Sequence, residues 1–210
     1  MVGDIIFAGM VKREFANNAI LIVGLNIIVK SFYLFGVDRT VQNTLPEGEY
    51  GLFFTFFNFA MLFQILADFG LQNYNARQLA QSRQLLQKYF PHLLSLKLIL
   101  GLLFIVSVGL IGYAWGFRES HIWWLLIIVA GNQFLQTLVL FLRSNLAGLG
   151  RYRLDSWMSI LDRLLLIIIA GALLWLPTFA PDFSLLRFVL AQTVAYTLAI
   201  IILLAVLLPR

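Results

Sequence analysis

The chain has 210 residues, 61% of them hydrophobic and 12% charged, with a mean hydropathy of +0.89 and a formal net charge of +5. Soluble domains carry about 25% charged residues, so this composition excludes an ordinary soluble fold and requires lipid as solvent. The lack of Cys excludes disulfides, thiolate metal sites and cysteine nucleophiles.

Residues 1–16 contain IIFAGMVKREF, a short amphipathic piece read as an interfacial N-terminal segment. No basic stretch, apolar core and small-residue cleavage site follow one another there, so targeting is expected to fall to the first span. Residues 17–210 are predicted to form a single six-span lobe. Its apolar stretches run over 17–37, 49–71, 93–115, 122–142, 156–176 and 185–208. Each is long enough to cross about 30 Å of hydrocarbon as a helix, the form that satisfies its own backbone in lipid. The predicted fold is therefore an all-α polytopic bundle. Pro46 and Gly48, Pro91, Gly116, and Pro177 with Pro181 mark the expected breaks.

Lys and Arg are unevenly distributed between the loops. With the N-terminus inside, the inner segments hold Lys12, Arg13, Arg77, Arg83, Lys88, Arg143, Arg151, Arg153 and Arg210. The outer side holds Arg39, Arg118 and Arg187, together with Asp38, Glu47, Glu49, Glu119 and Asp182. This positive-inside pattern predicts two cytoplasmic termini. It also accounts for the basic charge without nucleic acid as a partner. Trp115, Trp123, Trp124 and Trp175 fall at outer span ends, as interfacial belt residues do.

Polar groups within spans are costly unless they face protein or water. Lys30, with Asn26 and Tyr33 on the same helical face, reads either as a cation lining a phosphate-binding cavity or as a lysine snorkelling to the headgroups. Asn132, Gln136 and Arg143 share an arc of span four, with Gln133 at its edge, and either line an aqueous path or bond helix to helix. Asp155, Ser159 and Asp162 align in span five beside Arg163. Asp162 is expected to pair with Arg163, Lys97 or Arg143 at the inner rim. Gln64, Asp68 and Gln72 recur every four residues towards the inner surface. Gln192, Thr193, Tyr196 and Thr197 in span six read as ordinary helix contacts.

No catalytic constellation emerges. His92 and His121 lie at span ends without carboxylates at metal-ligand spacing. There is no phosphate-loop pattern, and no deep His to partner a serine nucleophile. The expectation is a protein that is not an enzyme and uses neither metal nor cofactor.

The stretch from Gly36 to Arg77, GVDRTVQNTLPEGEYGLFFTFFNFAMLFQILADFGLQNYNAR, carries the strongest order-dependent signal. Its Glu49-Tyr50-Gly51, Asp68-Phe69-Gly70-Leu71 and Arg77 resemble the first helical hairpin of Wzx-type polysaccharide flippases. These export O-antigen and capsule precursors and belong to the multidrug/oligosaccharidyl-lipid/polysaccharide exporter superfamily. A second zone, Arg143 to Leu166, resembles the inner loop between spans four and five of the same family.

The resemblance implies alternating access by two helical lobes. The substrate would be a polyprenyl-pyrophosphate-linked oligosaccharide whose tail stays among the membrane lipids of the bacterial inner membrane. In that scheme Lys30 and Arg39 would hold the pyrophosphate, and Asn26, Asn132, Gln133 and Gln136 the sugar hydroxyls. Arg77 and Arg143 would attract the anion at the inner mouth, with Asp68, Asp162 and Arg163 as structural ion-pair residues there. Family members usually have twelve to fourteen spans, whereas this chain shows six and stops at LLPR. The expected partner is therefore a missing second lobe or another copy of the chain. A multidrug cation antiporter of the same superfamily and a non-transporting membrane subunit or truncated product are the alternatives.

Overall fold

The structure, a computed structural model, describes residues 23–81 and 85–207; the predicted interfacial segment 1–16 lies outside them. Seven helices and two short 3-10 turns make up the described part, and no strand occurs among its residues. Helix α1 covers residues 23–44 and includes a π-helical turn, Tyr33–Asp38, that runs straight on into Arg39–Thr44. Then come α2 (Glu49–Leu62), α3 (Leu71–Gln81), α4 (Leu85–Trp115), α5 (Ser120–Gly148), α6 (Tyr152–Trp175) and α7 (Leu185–Leu207).

Helices α5, α6 and α7, and α4 from Tyr89 on, are each long and apolar enough to span a membrane. They correspond to the last four predicted spans. The predicted second span is broken: α2 and α3 meet at a 60° bend and together make one further candidate. Of the first predicted span, residues 23–37 lie in α1.

Three expectations change. The first span does not end near residue 37, because α1 stays helical to Thr44 and the turn into α2 is only Leu45 to Gly48. Gly48 takes φ +89° there, a backbone region that disfavours a Cβ. Pro91 does not precede a helix but lies inside α4. Arg163 does not sit at an inner helix end. Since α6 begins at Tyr152, Arg163 is about 16 Å along the 24-residue helix, close to its midpoint.

Helix α5 is the hub, packing against α2, α3, α4, α6 and α7. Its buried residues, from Leu126 and Val129 through Phe141, Leu142 and Leu146, point round most of its circumference. A helix apolar on all sides is one surrounded by other helices or lipid. The turn between α4 and α5 is pinned by Phe117, whose ring meets Phe56 and Phe59 of α2 edge-on at 5.1 and 5.8 Å between centroids. Such pairs add about 0.5–1.5 kcal/mol beyond area burial. Close backbone approach joins α3 to α5 at Gly148, where an added Cβ would lie 2.9 Å from the Ala76 carbonyl oxygen.

Candidate functional site

A half-open pocket of about 210 Å³ is bordered by residues from α1, α2, α5, α6 and α7. Helix α1 contributes Tyr33 and Asp38, both within its π-helical turn. The wider turn of a π-helix rotates the side chains that follow it relative to a regular helix. The Tyr50 hydroxyl, in the first turn of α2, donates to Asp38 Oδ2 at 2.8 Å and ties the two helices together above their tight turn. Phe53, Phe54 and Phe57 follow on α2 and form an aromatic wall. Phe53 is fixed by edge contact with Phe188 of α7 at 5.6 Å.

The remaining walls are polar. Arg163 of α6 lays its guanidinium over the Tyr33 ring at 4.9 Å, a cation–π contact. Its Nε is 3.7 Å from Asp162 Oδ2. Gln136 of α5 and Gln192 and Tyr196 of α7 complete the lining. The Gln136 amide hydrogen-bonds to no described residue. Gln192 Oε1 accepts a long bond, 3.5 Å, from Asn132 Nδ2, and its amide nitrogen donates to no described residue. The cavity thus offers aromatic faces together with uncommitted donors and acceptors.

The predicted site residues divide into separate places. Gln136 borders the cavity, whereas Asn132 is committed to the α5–α7 contact. Its amide donates to the Val189 carbonyl at 2.8 Å and its oxygen accepts from the Thr193 hydroxyl at 2.7 Å. Gln133 is buried within α5 beside it. Asn26 accepts from the Ser159 hydroxyl at 3.0 Å, joining α1 to α6. Lys30 and Arg39 are exposed and stand nine residues apart on α1, about 13 Å along a regular helix. Arg39 bonds Gln42 at 3.0 Å, and neither cation borders the cavity.

The ion pairs are more local than the sequence suggests. Lys97 is fully buried and donates to Asp68 Oδ1 at 2.7 Å and to the Ala67 carbonyl at 2.8 Å. That contact sits on the α2–α3 break, where Phe69 and Gly70 adopt φ +42° and +80°. Arg143 Nε pairs with Asp155 at 2.8 Å across the α5–α6 turn. A small cleft opens beside this pair, lined also by Gln72, Asn73 and Ser144. Asp162 pairs with Arg163, one of its three expected partners. Arg77 is exposed on α3.

Tyr33, Asp38, Tyr50, Gln192 and Tyr196 were not among the predicted site residues. Asp38 falls in a predicted loop because the predicted first span ends at residue 37, whereas α1 continues to Thr44. Gln192 and Tyr196 are four apart on one face of an apolar helix, and the rule that polar residues inside a span are functional candidates applied to them as well.

A family model described as "Polysaccharide biosynthesis protein" matches residues 15–209. The comparisons with curated proteins and with solved structures gave no match. The family match takes in all six predicted spans. The chain is a multi-pass membrane protein of the polysaccharide biosynthesis family, the family of the Wzx-type flippases, with a general role in polysaccharide export.

Proposed function

We propose that this chain helps to flip a polyprenyl-pyrophosphate-linked oligosaccharide across the bacterial cytoplasmic membrane by alternating access. The product would serve a surface polysaccharide such as the O-antigen of lipopolysaccharide. The observation that supports this reading is the half-open, aromatic-walled pocket whose Gln136 and Gln192 amides keep polar atoms uncommitted, whereas Asn132 and Lys97 elsewhere in the bundle are bonded to neighbouring helices. Polar side chains within a span are expensive unless they serve a path or a ligand. A chain of a polysaccharide family with such a cavity suits a cargo rich in hydroxyl groups.

In this reading no covalent step is catalysed, and both termini face the cytoplasm, as the distribution of Lys and Arg suggests. Lys30 and Arg39 bind the pyrophosphate from the exposed side of α1, where charge-assisted bonds to phosphate oxygens are strong. Arg77 and Arg143 draw the anionic cargo to the inner mouth. The facing wall of the path comes from a second lobe or from a second copy of the chain. A cationic cargo fits less well, because the lining carries one cation, Arg163, against one anion, Asp38, and so no net acidic site.

The test is complementation of a flippase-deficient strain by the intact reading frame, scored for surface glycan. Restored glycan supports the assignment. Replacing Lys30 and Arg39 together by Gln should abolish it while membrane insertion persists. Normal glycan in that double variant would sink the pyrophosphate assignment.

A further inference from the structure

We propose that the cavity between Tyr33, Tyr50, Gln136, Arg163, Gln192 and Tyr196 is a subsite for one neutral sugar ring of the cargo, and that it excludes the pyrophosphate. The inference rests on the transport reading above and assigns one part of the cargo to one place in this chain.

Size supports it first. Liquid water occupies about 30 Å³ per molecule, so about 210 Å³ displaces several waters but is smaller than the about 300–1,000 Å³ of sites for drug-sized ligands. One pyranose ring fills that space, and the rest of a larger cargo lies outside it beyond the open side.

Chemistry supports it second. A sugar ring presents C–H faces to aromatic rings and a rim of hydroxyls that both donate and accept. Phe53 and Phe57 give the first surface. Phe54, 56% exposed, stands at the mouth of the cavity. For the rim, the Gln136 amide offers two donors and a carbonyl oxygen with no described partner. Gln192 adds a free amide nitrogen. Asp38 keeps Oδ1 available, since Tyr50 engages only Oδ2.

Charge supports it third. Arg163 brings one positive charge to the lining and Asp38 one negative charge, and Asp162, outside the lining, stands 3.7 Å from the Arg163 Nε. A phosphate group therefore meets no net positive field there. The one-to-one balance of Arg163 and Asp38 in the lining gives an organic cation no net negative field either.

The experiment uses the full chain purified into lipid nanodiscs, with saturation-transfer NMR on a panel of methyl glycosides. Inorganic pyrophosphate and tetraphenylphosphonium serve as competitors. The expected result is saturation transfer to at least one glycoside that neither competitor displaces. Affinity should fall about tenfold in Gln136→Leu, the effect of one lost hydrogen-bonded group. Because Gln136 bonds no described residue, its Leu variant should unfold at the same temperature as the parent, which keeps the comparison interpretable. Three results would each overturn the subsite: no transfer at tens of millimolar glycoside, binding unchanged in Gln136→Leu, or displacement by either competitor. Glycoside binding of the expected pattern without complementation would leave the subsite standing and sink the transport reading. Complementation without such binding would do the reverse.

Discussion

The Lys97 ammonium sits 2.7 Å from Asp68 Oδ1 and also holds the Ala67 carbonyl, so a residue on α4 staples the break between α2 and α3. A break of this kind leaves backbone carbonyls without intrahelical partners, and in a membrane those must be satisfied by protein. The Asp68-Phe69-Gly70 sequence is therefore the sequence of the break itself. Asp68 receives the lysine, Gly70 takes the left-handed conformation, and α3 leaves at a new angle.

Removing the staple should be costly. Lys97→Met leaves the Asp68 carboxylate without its counter-ion, and breaking a buried pair from one side costs about 3 kcal/mol or more. Asp68 retains a quarter of its side-chain surface, so the lower end is expected. Thermal unfolding in detergent or nanodiscs measures it. The double variant Lys97→Met/Asp68→Asn should recover part of the loss, and strictly additive losses would argue against the pairing.

Gly148 is predicted to tolerate no side chain. A Cβ would lie 2.7 Å from the Leu79 Cβ and 2.9 Å from the Ala76 carbonyl oxygen, so α3 and α5 would have to separate. Gly148→Ala should destabilise by about 1–3 kcal/mol, the usual range for overpacking. Gly131→Ala in the same helix meets nothing within 4 Å. It should leave stability unchanged or raise it by up to about 1 kcal/mol through helix propensity. Equal unfolding temperatures for the two variants would contradict this account of the packing.

The two amides of α5 should behave differently. Asn132→Leu breaks bonds to Val189 and Thr193 and should loosen the α5–α7 contact by about 0.6–1.7 kcal/mol, the range measured for interhelical bonds in lipid. Gln136→Leu should leave stability where it is. Parallel denaturation curves decide the matter, and a larger loss for Gln136 would mean that its amide is structural.

The Arg143–Asp155 pair closes the α5–α6 turn but is partly open to solvent, with 21% and 23% of each side chain accessible. A double-mutant cycle with Arg143→Gln and Asp155→Asn should yield a coupling of only about 1 kcal/mol or less. Added salt should weaken it. A coupling several times larger would place the pair in a drier setting than its exposure implies.

Sequence alone determined the solvent, the secondary structure and the family. An apolar fraction of 61% with sparse charge leaves lipid as the medium, and lipid leaves a helix as the form for each span. The Asp68–Leu71 and Arg143–Leu166 patterns then pointed to the family that the match over residues 15–209 establishes. Periodicity also placed Gln136 on a face worth attention. What sequence could not decide was which polar residues meet. A helical period assigns a residue to a face but not that face to a neighbour, and in lipid an apolar face and a packed face have the same composition. Asn132 and Gln136 lie one turn apart, yet α7 consumes the first and leaves the second open. Asp38 looked like a loop acid until α1 proved to continue through a π-helical turn to Thr44. Only the tertiary structure could bring Tyr33, Asp38 and Tyr50 across from Arg163 and Gln192, because it alone sets the angles at which five helices converge.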